Sequence, residues 1–105
     1  GGTPDVYLVV VGERAEAQGL SLAEGLRDAV PGICIETNAG GGSFKSQLKR
    51  ADKSGARWAL VVGEAEAERG VAGLKSLRTE APQVEVALGQ LGPELKTRLA
   101  AGTRS

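Results

Sequence analysis

Val6-Tyr7-Leu8-Val9-Val10-Val11 is a continuous apolar run rich in β-branched residues, the pattern of a strand buried on both faces. Gly12-Glu13-Arg14 then turns the chain. From Ala15 the small and apolar positions Gly19, Leu22, Ala23, Leu26 and Val30 recur at helical spacing until Pro31-Gly32 ends the helix. Ile33-Cys34-Ile35 predicts a second short strand. Beyond Glu36 and Thr37 come Asn38, Ala39 and three consecutive glycines, Gly40, Gly41 and Gly42. Ser43 offers an N-cap oxygen, and Phe44, Leu48 and Ala51 follow at i, i+4 and i+7, so a helix with one buried side is expected from Ser43 to Ser54. Gly55 is a good residue to close it. Trp58-Ala59-Leu60-Val61-Val62 predicts a third buried strand, ending in Gly63-Glu64.

This order is β-α-β-α-β, the signature of a parallel sheet with crossover helices. Right-handed crossovers bring all three strand C-terminal ends to one edge, so the turns at 12–14, 37–43 and 63–66 share it. With the first strand central, the two helices lie on opposite faces and a crevice opens beside that strand, where open α/β sheets bind ligands. Gly12–Ala17 and Gly63–Ala67 echo each other after Val-Val, yet two buried strands turning into helices reach such text without duplication.

The remainder is patterned more weakly. Glu64–Gly70 predicts about one helical turn, Val71…Leu74…Leu77 a further element, and Val84-Glu85-Val86-Ala87-Leu88 alternates as a half-exposed strand near an edge. Leu91, Leu95 and Leu99 mark one apolar helix face, with Pro93 in its first turn. The boundaries this implies are a linker over 1–5, one domain over 6–101 and a flexible tail over 102–105.

Composition narrows the function. A chain of 105 residues has room for one modest core and not for a catalytic and a binding domain together. No apolar run approaches the roughly 20 residues needed to cross a bilayer, and no signal peptide is expected. Thirteen basic residues cancel thirteen acidic ones, so affinity for a polyanion has to come from a local patch. Histidine is absent, which removes the commonest general base and zinc ligand along with any Ser-His or Cys-His arrangement. The lone Cys34, inside an apolar pattern, is expected to be a buried, inert thiol suited to a reducing cytoplasm.

Candidate chemistry gathers at the glycine stretch. A bare glycine turn at a helix N-terminus beside Lys45, Lys49, Arg50 and Lys53 suits anionic or polar ligands; a plain connecting loop is the alternative. The turn is not a phosphate-binding Walker motif, because Ser43-Phe44 stands where Lys-Ser/Thr is required, and the first turn lacks G-x-G-x-x-G. Lys45 stands out, since a cation in a first turn opposes the helix dipole. Phe44 shares phase with Leu48 and Ala51 and is expected in the core, as is Trp58. Glu64, Glu66 and Glu68 read either as acceptors facing a ligand or as a solvated acidic turn.

The run Thr37-Asn38…Gly41-Gly42-Ser43-Phe44-Lys45-Ser46-Gln47…Arg50-Ala51-Asp52-Lys53-Ser54-Gly55-Ala56-Arg57, followed by Val61-Val62-Gly63-Glu64-Ala65-Glu66 and Gly70, resembles the C-terminal anticodon-binding domain of class IIa aminoacyl-tRNA synthetases. Within that family it is most similar to the bacterial histidyl members. The resemblance spans Val6 to about Ala100. It implies a three-layer α/β/α domain with a mixed five-stranded sheet in the order 2-1-3-4-5, the fourth strand antiparallel. It also implies that a tRNA anticodon stem-loop, that of histidine tRNA, docks at the edge described above. By motif position, Asn38, Gly40, Gly41, Gly42, Ser43 and Lys45 would contact anticodon nucleotides, Glu66 would hydrogen-bond a base, and Lys49, Glu64 and Lys75 would lie beside them. Lys75 falls where a relative uses arginine, and an ammonium lacks that planar fork.

The resemblance further implies that aminoacylation belongs to a separate catalytic domain, working with ATP and Mg in a homodimeric parent enzyme. This chain itself would need no cofactor and would not be catalytic. Unpaired loop bases are read by hydrogen bonds to their edges and by stacking. Three aromatic residues leave hydrogen bonding as the larger part here. Two other classes stay open at this stage: a protein-interaction or regulatory module of a synthetase-like protein, and a small-molecule enzyme using Glu13 or Glu64 in the crevice.

Overall fold

In the computed structural model, β1 (Val6–Val10) lies between β2 (Ile35–Glu36) and β3 (Trp58–Val62) and runs parallel to both. Residues 2–37 and 41–102 are described, so Asn38 and Gly40 of the candidate site, with Ala39, lie outside the described residues, as do 103–105 of the expected tail. β4 (Val71–Ser76) pairs antiparallel with β3, and β5 (Val84–Ala87) pairs antiparallel with β4. The sheet order is therefore β2-β1-β3-β4-β5 with β4 alone reversed. That is the mixed five-stranded order which the family resemblance implies.

The helices are α1 (Glu13–Ala29), α2 (Phe44–Ser54), α3 (Glu64–Arg69) and α4 (Leu91–Gly102), the last entered through a single 3-10 turn at Leu88–Gln90. Gly102, expected in a free tail, ends α4. Asp5, expected in the linker, is tied into the sheet: its N–H donates to the Cys34 carbonyl and its own carbonyl accepts from Arg57 and Trp58.

Side chains alternate along each strand, which divides the apolar residues between two layers. Val6, Leu8, Trp58, Leu60, Val62 and Leu74 join Ala23 and Leu26 of α1 and Leu91 and Leu95 of α4 in one buried cluster. Tyr7, Val9 and Ala59 face the other way, with Ala51 of α2 and Ala56. The first two helices thus occupy opposite faces, as the central placement of the first strand requires.

Two expectations are corrected. Cys34 is exposed, not buried. The strand begins two residues later than expected, at Ile35, and along Ile33–Glu36 buried and exposed residues alternate, because β2 is a two-residue edge strand with only one covered face. Phe44 is 37% exposed and not a core residue. It is the first residue of α2, and the buried line of that helix runs instead through Gln47 and Ala51, four apart.

Candidate nucleic-acid interface

The C-terminal edge of the parallel strands is held together by polar contacts. Ser43 caps α2: its Oγ accepts from the Ser46 N–H at 3.2 Å. The glycine turn before it has positive φ at Gly41 (66°) and Gly42 (99°), backbone that residues with a Cβ rarely adopt. A Cβ on Gly42 would also lie 2.6 Å from the Ser46 hydroxyl. At the other end Gly55 closes α2 in the left-handed conformation.

Gln47, 2% exposed, is the buried polar side chain of this edge. Its Oε1 accepts from the Val10 N–H at 3.0 Å, and its Nε2 donates to the Val10 carbonyl at 2.7 Å and the Gly42 carbonyl at 2.9 Å. Sequence reasoning gave it no role of its own, reading positions 43–54 for apolar phase, N-cap and exposed cations. The signal was present: Gln47 stands four before Ala51, on the line that must face the sheet.

α3 joins the edge from the other side. Its first turn is capped by Glu66, whose Oε1 accepts from the Gly63 N–H at 2.8 Å. Gly63 is buried beneath the Phe44 ring, and a Cβ there would come within 2.7 Å of that ring. Glu64 reaches the neighbouring turn, where its Oε2 accepts from the Ala15 N–H at 2.9 Å. Gly12, the residue preceding α1, has no side chain to cap that helix, so Glu64 supplies the missing acceptor from 49 residues away. The two similar turns at 12–15 and 63–66 are thus in direct contact.

Lys45 and Lys49 lie exposed on α2, and no acidic residue offsets Lys45 in the first turn. Asp52, further along the same helix, pairs with Arg78 at 2.7 Å. Lys75 is half-buried on β4 opposite Ala59, on the α2 side of the sheet. It stands three residues back from Val62, about 10 Å below the edge. Next to it on that side, Gly73 faces Glu85 of β5, and the Gln83 side chain lies across Gly73. Glu85 pairs with Arg69 at the end of α3, which holds its carboxyl below, and the guanidinium above, the ordinary range.

Gly41, Gly42, Ser43, Lys45, Lys49, Glu64 and Glu66 therefore collect at one edge, and Lys75 lies on the adjoining sheet face. Among the described residues no cluster of three His, Cys, Asp or Glu side chains could hold a metal ion, and no helix is long and apolar enough to cross a membrane. A glycine turn, exposed lysines and fixed carboxylates form a surface of hydrogen-bonding groups suited to a polar, anionic polymer.

Comparison with known proteins agrees with this geometry. Residues 5–98 match the family model described as the anticodon binding domain, and the chain belongs to that family of class II tRNA synthetase domains. Among solved structures it is similar to histidyl-tRNA synthetase from Nostoc sp. PCC 7120, with 33% identity over 93% of this chain and 23% of that one, at a TM-score of 0.80. It is also similar to apo histidyl-tRNA synthetase from S. aureus, with 26% identity over 88% of this chain and 26% of that one, at a TM-score of 0.75. The RNA binding domain of threonyl-tRNA synthetase from Cryptosporidium parvum Iowa II shares the fold, with a TM-score of 0.81 over 91% of this chain and 24% of that one, at 18% identity. The chain spans about a quarter of the length of each of these proteins.

Proposed function

We propose that this domain binds the anticodon stem-loop of histidine tRNA and positions it for a histidine–tRNA ligase. The two histidyl-tRNA synthetases, at 33% and 26% identity, support the histidine assignment over the threonine one at 18%. The observation that carries RNA binding is the edge itself, where a glycine turn, the first turn of α2 with Lys45 exposed, and the first turn of α3 stand side by side.

In this reading the backbone of the glycine turn meets anticodon bases and Lys45 and Lys49 hold phosphates. Glu66 spends one carboxylate oxygen on its own helix, and the other accepts no hydrogen bond among the described residues, leaving it to accept from a base edge. Lys75 serves the sheet face as a point charge. Glu64, committed to α1, contributes through the shape of the edge. ATP and Mg would be handled by a catalytic domain of the parent enzyme, a cytoplasmic homodimer. The isolated domain binds weakly, at about 10–1,000 μM, because few contacts have to offset the cost of association.

The test is an amide chemical-shift titration of the labelled chain with the histidine anticodon stem-loop, beside a scrambled loop of equal charge. Shifts clustered at Gly41–Lys49, Glu66 and Lys75 and stronger for the cognate loop are expected. Lys45→Ala should weaken cognate binding about three- to tenfold, the worth of one charge-assisted contact, and flatten its salt dependence. Equal shifts for both loops, scattered over the basic residues, would show charge attraction without recognition.

A further inference from the structure

In a parallel sheet the N–H and C=O of one residue point to the same side, and successive residues alternate sides. Val6 donates towards β2, at the Cys34 carbonyl, and Val11 donates towards β3, at the Val62 carbonyl. Even-numbered β1 residues therefore face β2. Yet β2 ends at Glu36, level with Tyr7. Val10, three residues further along β1, lies beyond the last residue of β2. A buried backbone donor and acceptor left there would each cost about the desolvation of a polar group.

The Gln47 amide fills that position. It accepts from the Val10 N–H and donates to the Val10 carbonyl, as the next peptide of a longer β2 would. Its second N–H takes the Gly42 carbonyl. Arg50, one helical turn on, donates from Nη2 to the Gly41 carbonyl. Two successive carbonyls of the glycine turn are thus drawn in towards α2. Among the described residues nothing accepts from the N–H groups of Gly41, Gly42 or Ser43.

We infer that Gln47 is the positioning residue of the RNA edge. Its amide pairs with Val10 beyond the end of β2 and ties the glycine turn to the first strand. By turning the Gly42 carbonyl inward it leaves the glycine turn facing the ligand through N–H donors and Lys45. The turn would then select acceptor groups: base carbonyls, unprotonated ring nitrogens and phosphate oxygens. This deepens the RNA-binding reading and rests on it.

Gln47→Glu separates positioning from simple support of the fold. The ionised carboxylate still accepts from Val10 but donates to neither carbonyl, whereas the protonated acid regains one donor. Burial beside two carbonyls favours the protonated acid, so lowering the pH from 7.5 to 5.5 raises the fraction of the variant that regains a donor. The chain contains no histidine, which leaves the unaltered protein without a side chain of ordinary pKa there. Affinity for the histidine anticodon stem-loop, thermal unfolding and the amide shifts of Gly41–Ser43 would be followed together at pH 5.5 and 7.5.

At pH 7.5, Gln47→Glu should bind about five- to tenfold more weakly than wild type, with displaced Gly41–Ser43 resonances and native β3–β4 resonances. At pH 5.5 most of that loss should return. Gln47→Met, similar in size but without the amide, should show the same loss at both pH values. It supplies the comparison if Gln47→Glu unfolds at the higher pH. Wild-type affinity in both variants, or a loss that tracks the unfolded fraction alone, would overturn the inference while leaving RNA binding intact. Failure of the wild-type chain to bind either loop would overturn the RNA reading, and the role of Gln47 with it.

Discussion

On one side of the sheet Leu8, Leu60, Val62 and Leu74 meet Leu26, Leu91 and Leu95, all 3% exposed or less. On the other, Tyr7, Val9 and Ala59 meet Ala51 and Ala56, with the partly buried Leu48, Val61 and Leu77 at the margin and Gln47 buried nearby. The first layer excludes water with large branched side chains, which contribute most of the apolar area removed from solvent. The second brings α2 close on alanine and fixes its end by hydrogen bonds. Apolar packing is strong but non-directional, whereas a buried amide with three partners sets one position and one orientation. The candidate interface lies on the side whose geometry is set by hydrogen bonds, and most of the stability lies on the other.

The sharpest way to break this contrast is Leu95→Ala. Leu95 is fully buried in α4, far in sequence from every candidate RNA contact. Its truncation should lower stability by about 2–5 kcal/mol, read by denaturant unfolding. At low temperature, where the fold persists, RNA affinity should remain within about twofold of wild type. A large affinity loss in the folded variant would mean that the thick layer also shapes the interface.

A smaller effect is expected at Glu64, where the two turns meet. Glu64→Ala removes the acceptor at the start of α1 and should cost about 0.5–2 kcal/mol, as lost N-caps do. Glu64→Gln keeps an acceptor oxygen and should recover part of it. If Glu64→Ala instead leaves stability unchanged and abolishes RNA binding, the carboxylate belongs to the ligand and not to α1.

These two positions also mark what the sequence could and could not reveal. Leu95 was legible from the i, i+4 spacing of Leu91, Leu95 and Leu99, and the two interior parallel strands were legible as uninterrupted apolar runs. The turns around Gly12, Gly41–Ser43 and Gly63 could be assigned to one edge from crossover handedness. The partners across that edge could not. Nothing local to Glu64 points to Ala15, and nothing local to Gln47 points to Val10, because those contacts exist only once distant strands have paired. Phe44 and Cys34 misled for a related reason: helical phase and an apolar neighbourhood report which face is covered, but not where cover ends. Phe44 sits at the rim of α2, and Cys34 precedes an edge strand with one open face.

The weakest expected effect lies beyond both layers, at the Arg69–Glu85 pair linking α3 to β5. Roughly half of each side chain is exposed, and exposed pairs add little because water and salt screen them. Hydrogen bonding and charge from Arg69 hold the folded Glu85 carboxyl below its ordinary pKa, partly opposed by desolvation. The sign follows directly. With the folded pKa depressed, the contribution is present above the unfolded value and is lost as pH falls through the folded one. Glu85→Gln should therefore leave stability at pH 7 nearly unchanged and slightly flatten its decline in acid. A measurable loss at neutral pH that vanishes in high salt would show that this pair fastens the open side of the sheet. The polar side would then rest on its rim as well as on Gln47.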